Sequence, residues 1–196
     1  MINSFRQYLV EDEKVMYFSF GRMNPPTIGH EKLLDKLASA SGKNPYRLYL
    51  SQSQDPKKNP LDYKSKVKFA RKMFPRHARS ILLTPDVKNV MDIANKLYNE
   101  GYGKIVMVVG SDRVSEFSKL LNNYNGKKAR HGFYNFQDIS IISAGDRDPD
   151  SEGVDGMSAS KMREAASNND FTKFLQGLPK SMSDKDSRDL FNSVRN

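Results

Sequence analysis

The sequence contains no cysteine. That excludes disulfides and thiolate metal sites, and it agrees with a reducing compartment. Long apolar runs are missing too. Nothing approaches the ~20 residues needed to cross a bilayer, and no basic segment followed by an apolar stretch marks a secretory signal. The expectation is a cytoplasmic protein with no membrane partner. Acidic residues are scarce relative to basic ones: 23 Asp and Glu stand against 32 Lys and Arg, a formal charge of +9. This balance favours anionic partners such as nucleotides, nucleic acid or phosphorylated metabolites. A lysine-rich solvated surface would give the same figure. The 196 residues, 37% of them hydrophobic, suit one compact domain with a sizeable core.

What is present alternates between two periodicities. VMYFSF, Val15 to Phe20, is a β-rich apolar run and reads as a buried strand. Ile28 to Ala40 has helical spacing, and Tyr46 to Ser51 reads as a strand. Asp62 to Phe74 predicts a helix, Ser80 to Leu83 a short strand, and Val87 to Tyr98 a helix ended by Gly101. IVMVV, Ile105 to Val109, lacks alternation, as a central parallel strand covered on both faces should. A helix over Val114 to Leu121, a strand over Asp138 to Ser143 and a glycine-rich acidic loop over Ala144 to Gly156 follow. Helices then start at Ser158, Phe171 and Asp186. Alternating strands and helices imply an α/β, Rossmann-like, doubly wound parallel sheet with a C-terminal helical extension. The expected boundaries are an amphipathic segment over 1–14, a main α/β domain over 15–182 and a helical tail over 183–196.

Such sheets bind ligands at the carboxyl ends of their strands. FGRMNPPTIGH, Phe20 to His30, lies there, directly after the first strand. A loop entering a helix exposes backbone N–H groups, which attract phosphate together with the helix dipole. Gly21 permits close approach, Pro25 and Pro26 stiffen the loop, Thr27 offers a hydroxyl, Gly29 leaves room in the first turn, and His30 offers an imidazole. The plainer reading is a rigid turn with Thr27 as the helix N-cap. A second stretch, MSASKMR from Met157 to Arg163, also opens a helix with hydroxyls and cations. Arginine there adds bidentate geometry for phosphate, although an ordinary N-cap with surface basic residues has the same composition.

Gly21 to His30 resembles the GxFxPxHxGH signature of the HIGH-type nucleotidyltransferase superfamily, with Met23 in place of the usual aromatic and Thr27 where many members have histidine. Met157 to Arg163 resembles that superfamily's ISSTxIR motif, with Ala159 replacing a serine. Phe174 to Pro179 resembles the leucine–proline stretch that follows it. Gly110-Ser111-Asp112-Arg113 is similar to the GxD element of pyridine-nucleotide adenylyltransferases. Asp112 could contact ribose or an ordered cation, or cap the next helix. Ser51 to Lys66 resembles, more loosely, a stretch of archaeal-type nicotinamide-nucleotide adenylyltransferases, through Asn59, Pro60 and Leu61. Ser65 and Lys66 stand where that family has Glu-Arg. The chain has no tryptophan, so the tryptophan that follows GxD in many of those enzymes is missing; Phe117 and Tyr124 are the nearby aromatics.

The resemblance implies transfer of a nucleotidyl group, adenylyl from ATP above all, to a phosphorylated small-molecule acceptor. Nicotinamide mononucleotide is the acceptor it points to, and pyrophosphate would leave. It implies catalytic roles for His30, Thr27 and Arg163. Gly21, Arg22, Met23, Asn24, Gly29, Ser158, Ser160 and Lys161 would bind the nucleotide, and Asn59 and Asp112 the acceptor. Mg²⁺ would be held mainly by substrate phosphates, with no protein metal site.

Two basic stretches, Lys57 to Arg79 and Lys127 to His131, read as solvated faces, since no nucleic-acid-binding signature accompanies them. His77 and His131 read as surface residues within them. Near the N-terminus, Phe5, Tyr8 and Leu9 share one face, and Leu9-Val10-Glu11 resembles the cleavage site of capsid-targeting peptides of T4-like phages. This gives the alternative: a basic, phage head-associated nucleotide-binding protein with weak or no catalysis, in the host cytoplasm or the virion interior. The oligomeric state is left open, a homo-oligomer included.

Overall fold

The computed structural model describes residues 14–145 and 157–195. The amphipathic stretch around Phe5, Tyr8 and Leu9, and the loop beyond Gly145, lie outside the described residues.

Four strands form one parallel sheet: β1 (Val15–Gly21), β2 (Tyr46–Leu50), β3 (Lys104–Val109) and β4 (Asp138–Ser143), in the order β2-β1-β3-β4. Phe18 of β1 lies beside Arg47 on one side and Met107 on the other. Every strand therefore ends at the same edge. Successive side chains point to opposite faces, and the burial follows that rule. Met16 and Phe18 enter one apolar cluster, with α3 (Val90–Asn99) and α4 (Val114–Tyr124). Tyr17, Leu48 and Val108 enter the other, with α1 (Gly29–Ser41), α2 (Tyr63–Met73), α5 (Ala159–Ser167), α6 (Phe171–Leu175) and α7 (Asp184–Arg195). The α/β doubly wound architecture expected from the sequence is thus the one observed. The chain leaves β1 toward β2 and later returns across β1 to β3. The crevice between β1 and β3 is the switch point where ligands of such sheets bind.

The C-terminal helices belong to this core. Leu190, Phe191 and Val194 of α7 are buried in the same cluster as Leu34 and Phe69. The Phe191 ring meets Phe171 and Phe174 edge-on at 5.2 and 5.1 Å. Met162, Ala165 and Ala166 of α5, the helix that carries the second motif, are buried in the same cluster.

Four local expectations are corrected. The short strand over Ser80 to Leu83 is a single bridge, Leu48 to Ile81, after a 3₁₀ turn over Pro75–Ser80. Arg71 donates to the Ile81 carbonyl from both Nε and Nη2, at 2.9 and 2.7 Å, which diverts that carbonyl from a ladder. The helix expected from Val87 begins at Val90, because Asn89 and Asp92 form a capping box. His77 is not a surface residue. It is 3% exposed, with Nδ1 against Tyr46 Oη at 3.0 Å and Nε2 against Asp35 Oδ1 at 3.1 Å. His131 is half-buried as well.

One contact ties the C-terminal helices to the first motif. Ile28 N–H donates to the Gly177 carbonyl at 2.8 Å, at the start of α1. A Cβ at Gly177 would lie 2.5 Å from Met162 Sδ and 2.8 Å from Met157 Cγ. Gly177→Ala is therefore expected to overpack this junction and cost about 1–3 kcal/mol. Thermal denaturation checks it; an unchanged midpoint would mean that both methionines move aside without cost.

Candidate active site

A cleft of about 750 Å³ opens at the carboxyl edge of the sheet, within the range of small-molecule sites. Its walls come from the β1–α1 loop, the segment after β2, the β3–α4 turn and the start of α5. The two sequence motifs, more than a hundred positions apart, meet there. Arg163 Nη1 donates to the Asn24 carbonyl at 2.7 Å, and Nη2 donates to Ser160 Oγ at 3.0 Å. Burial, and then the charge of Arg22, hold the Arg163 pKa below its ordinary value. Two cations brought together in this way make a site receptive to phosphate.

The charge of the lining is one-sided. Arg22, Lys58, Lys88, Arg113 and Arg163 face the cleft; among the described residues Asp112 is the only carboxylate that does. Arg113 is held by Glu116 through Nε at 2.6 Å and Nη2 at 3.0 Å. Its guanidinium carbon lies 4.7 Å from the centre of the Phe117 ring. Of the two aromatics near GxD, Phe117 lines the cleft, whereas Tyr124 packs edge-on against His131 at 4.8 Å.

His30 faces the cleft from the first turn of α1. The Thr27 backbone N–H donates to its Nδ1 at 2.9 Å, and Thr27 Oγ1 lies 3.0 Å from the same nitrogen. A backbone N–H can only donate, so Nδ1 is an unprotonated acceptor and the ring proton sits on Nε2. His30 is thereby set as a hydrogen-bond donor through its far nitrogen. Thr27 is buried behind it. It is not the N-cap, which is Ile28 without a side-chain cap bond, because its hydroxyl is turned to the imidazole.

The remaining predicted residues divide in two. Gly21, Arg22, Met23, Asn24, Asn59, Asp112, Ser158, Ser160 and Arg163 line the cleft with His30; Thr27, Gly29 and Lys161 do not. A Cβ at Gly21 would meet only Met23 Cγ, at 3.9 Å, so the space that glycine keeps open is cleft. Met23 adopts a φ of 42° and sends its side chain into the core. Asn24 borders the cleft and also has a structural use. Its Nδ2 donates to the Leu61 carbonyl and its Oδ1 accepts from the Leu61 N–H, both at 3.0 Å and both buried. The amide is a clasp between the first motif and the segment after β2. Ser158 caps α5, accepting from Lys161 N–H at 3.2 Å, and also borders the cleft.

Two buried oxygens at this site, Ser19 Oγ and Asn59 Oδ1, have no hydrogen-bond partner among the described residues. Asn59 Nδ2 donates to Asp55 Oδ2 at 2.5 Å, which fixes which end of the amide is oxygen. Sequence reasoning did not single out Ser19 or Lys88, and it took Ser51, Lys58 and Lys66 only as members of the loosely matched stretch from Ser51 to Lys66. For Ser19 the available signal was the alternation within β1, which places this polar residue on the buried side of a strand. Lys66 is fully buried behind Ser51.

No protein-family model matches this sequence, and no curated protein matches it. Solved structures do match. The Plasmodium falciparum nicotinic acid mononucleotide adenylyltransferase complexed with NaAD aligns with a TM-score of 0.57 at 15% identity, covering 91% of this chain and 98% of that one. The same enzyme complexed with APC aligns with a TM-score of 0.56 at 14% identity, with the same coverage. At these identities the likeness is one of fold, and it agrees with the sheet order and helix placement described above.

Proposed function

We propose that this protein is a nucleotidyltransferase that moves a nucleotidyl group, adenylyl foremost, from a nucleoside triphosphate to a phosphorylated small-molecule acceptor. The observation that carries the reading is the Arg163–Asn24 hydrogen bond at the mouth of a cationic cleft. It brings together the two motifs that this reading assigns to phosphate binding. The fold likeness to structures of an adenylyltransferase, one complexed with NaAD and one with APC, supports a pyridine mononucleotide as the acceptor.

In the proposed reaction an acceptor phosphate oxygen attacks the α-phosphorus. The bond between that phosphorus and the α–β bridging oxygen breaks, and pyrophosphate leaves with the electron pair. No covalent protein intermediate forms. Catalysis then consists of positioning and charge stabilisation. His30 Nε2–H would donate to the α-phosphoryl oxygens. Arg163, with the Ser160 and Ser158 hydroxyls and the N–H groups opening α5, would hold the departing phosphates. Arg22 would add charge from the first motif. Asp112 and Asn59 would contact the acceptor, and the Phe117 ring would offer it a face, backed by Arg113.

Among the described residues no group of three acidic or histidine side chains could hold a metal. That donor set fits a Mg²⁺ ion carried by the substrate phosphates, with Asp112 the carboxylate able to meet its water shell. Bound there, it would supply charge neutralisation.

A pyrophosphate-release screen tests the reading, crossing the four nucleoside triphosphates with a panel of phosphorylated acceptors. Release is expected with ATP and a pyridine mononucleotide. Nucleotide binding without release from any pair would instead leave a nucleotide-binding protein without transferase activity.

A further inference from the structure

The second basic stretch, Lys127 to His131, lies outside the cleft. It belongs to the connection between α4 and β4. All four strands end at the cleft edge, so a connection that leads into β4 sits at the opposite, amino edge of the sheet. The fold closes it into a hairpin. Gly126 N–H donates to the Tyr134 carbonyl at 2.8 Å, Ala129 N–H to the Gly132 carbonyl at 3.0 Å, and Gly132 N–H to the Ala129 carbonyl at 2.9 Å. At the base the Asn125 amide clasps Phe136, donating to its carbonyl and accepting its N–H, both at 2.8 Å. The buried Tyr134 hydroxyl donates to the Leu121 carbonyl at 2.8 Å. These bonds tie both limbs and the base to the domain.

The charge on this hairpin has one sign. No acidic residue stands between Glu116 and Asp138. Lys127, Lys128 and Arg130 are exposed, and among the described residues no carboxylate pairs with them. His131 borders a neighbouring cavity whose acids are already engaged. Asp86 faces Lys96 at 3.4 Å, Glu100 holds Arg47 at 2.6 Å, and Asp92 accepts the N–H groups of Lys88 and Asn89.

Two aromatic rings flank the cations. Tyr124 and Phe133 are 39% and 40% exposed. Each is seated edge-on against a neighbour: Tyr124 against His131 at 4.8 Å, and Phe133 against Tyr98 at 5.8 Å. The rings are thus held in place and still partly open to water. Read in the sequence alone, the stretch is a solvated basic face; the fold adds the rings. Unpaired cations meet phosphates and fixed rings stack on bases, and a single strand offers both. A duplex hides its base faces and would use the cations alone. A membrane surface calls for apolar side chains that sink into the headgroup and acyl boundary, and rings held down on their neighbours do not.

We propose that the α4–β4 hairpin, through Tyr124, Lys127, Lys128, Arg130 and Phe133, is a binding surface for single-stranded nucleic acid, separate from the cleft. Fluorescence anisotropy with a labelled oligothymidylate and a duplex of the same length, over a series of salt concentrations, tests it. Sedimentation with vesicles of phosphatidylserine and phosphatidylcholine is the membrane arm. The oligothymidylate should bind more tightly than the duplex or the vesicles, and log K should fall linearly with log salt concentration. Lys127→Gln, Lys128→Gln and Arg130→Gln combined should make that slope shallower by about 2, since each phosphate contact on a single strand contributes about 0.7. Tyr124→Leu and Phe133→Leu keep an apolar side chain on the neighbouring ring but lose the stacking face. Each should weaken the oligothymidylate about tenfold at an unchanged salt slope and leave the duplex unaffected. None of the five residues lines the cleft, so these binding results stand whatever the pyrophosphate screen gives. The proposal is overturned if the folded leucine variants bind the oligothymidylate as the native protein does, or if the glutamine variant keeps the native slope. It is overturned equally if duplex or vesicles bind as tightly as the single strand, or if the native protein shows no salt-dependent binding of the oligonucleotide.

Discussion

His30→Asn is expected to lower nucleotidyl-transfer turnover by about 10²-fold or more with almost no change in stability. The number follows from the worth of one preorganised transition-state donor, about 2.7–4 kcal/mol. The choice of asparagine follows from the geometry. His30 has two tasks on two nitrogens. Nδ1 accepts the buried Thr27 N–H at 2.9 Å, and the far nitrogen carries the proton that would meet the α-phosphate. An asparagine oxygen falls close to where Nδ1 sits, so it can keep the Thr27 bond while removing the far donor. Alanine removes both and leaves the Thr27 N–H without that partner, which adds a stability loss of about 1–3 kcal/mol. Thermal melts and single-turnover pyrophosphate release on the two variants separate the effects. Near-normal turnover in folded His30→Asn would sink the catalytic assignment.

Asn24→Ala is expected to act in the opposite way, mainly through stability. The Asn24 amide gives both its ends to the Leu61 backbone, and Leu61 is buried. Truncation leaves a buried N–H and a buried carbonyl unsatisfied, at about 2–6 kcal/mol together. For a chain of this size that is a fall of roughly 4–24 °C in Tm. Asn24→Asp should be destabilised as well, because a carboxylate keeps the acceptor for the Leu61 N–H but sets an oxygen against the Leu61 carbonyl. A residue that merely touched nucleotide would instead lose affinity at an unchanged melting temperature. That outcome would refute the clasp.

The two variants mark how far the site was legible in the sequence. His30 could be picked out because it ends a glycine- and proline-marked turn after a strand, and the structure adds its tautomer. Asn24 stood in the same motif and looked like a ligand contact. Only the return of the chain after β2 gives its amide a partner, and Leu61 is 37 positions away. Lys161 follows the same logic. In sequence it is one more cation between Ser160 and Arg163, but one step along a helix turns it about 100° away from its neighbour, and Ser160 and Arg163 face the cleft while it does not. His77, placed by a basic neighbourhood among surface residues, is buried because Tyr46 and Asp35 converge on it from other elements.

The sequence by itself determined what repeats or punctuates locally. The period-two and helical patterns, the unbroken apolar run of β3 and the glycines and prolines at strand exits specify an α/β sheet with glycine- and proline-marked turns along one edge. These are short-range properties, fixed by the backbone's own preferences and by which side chains avoid water. The tertiary structure alone decided what depends on convergence. It set Arg163 against the first motif, gave the Asn24 amide its clasp on Leu61, left Ser19 and Asn59 with buried oxygens unpartnered among the described residues, and buried the Lys66 charge behind Ser51. A side chain's chemistry at such a point is set by the dielectric, the charges and the hydrogen-bond partners around it, and those come from segments that the local pattern does not see.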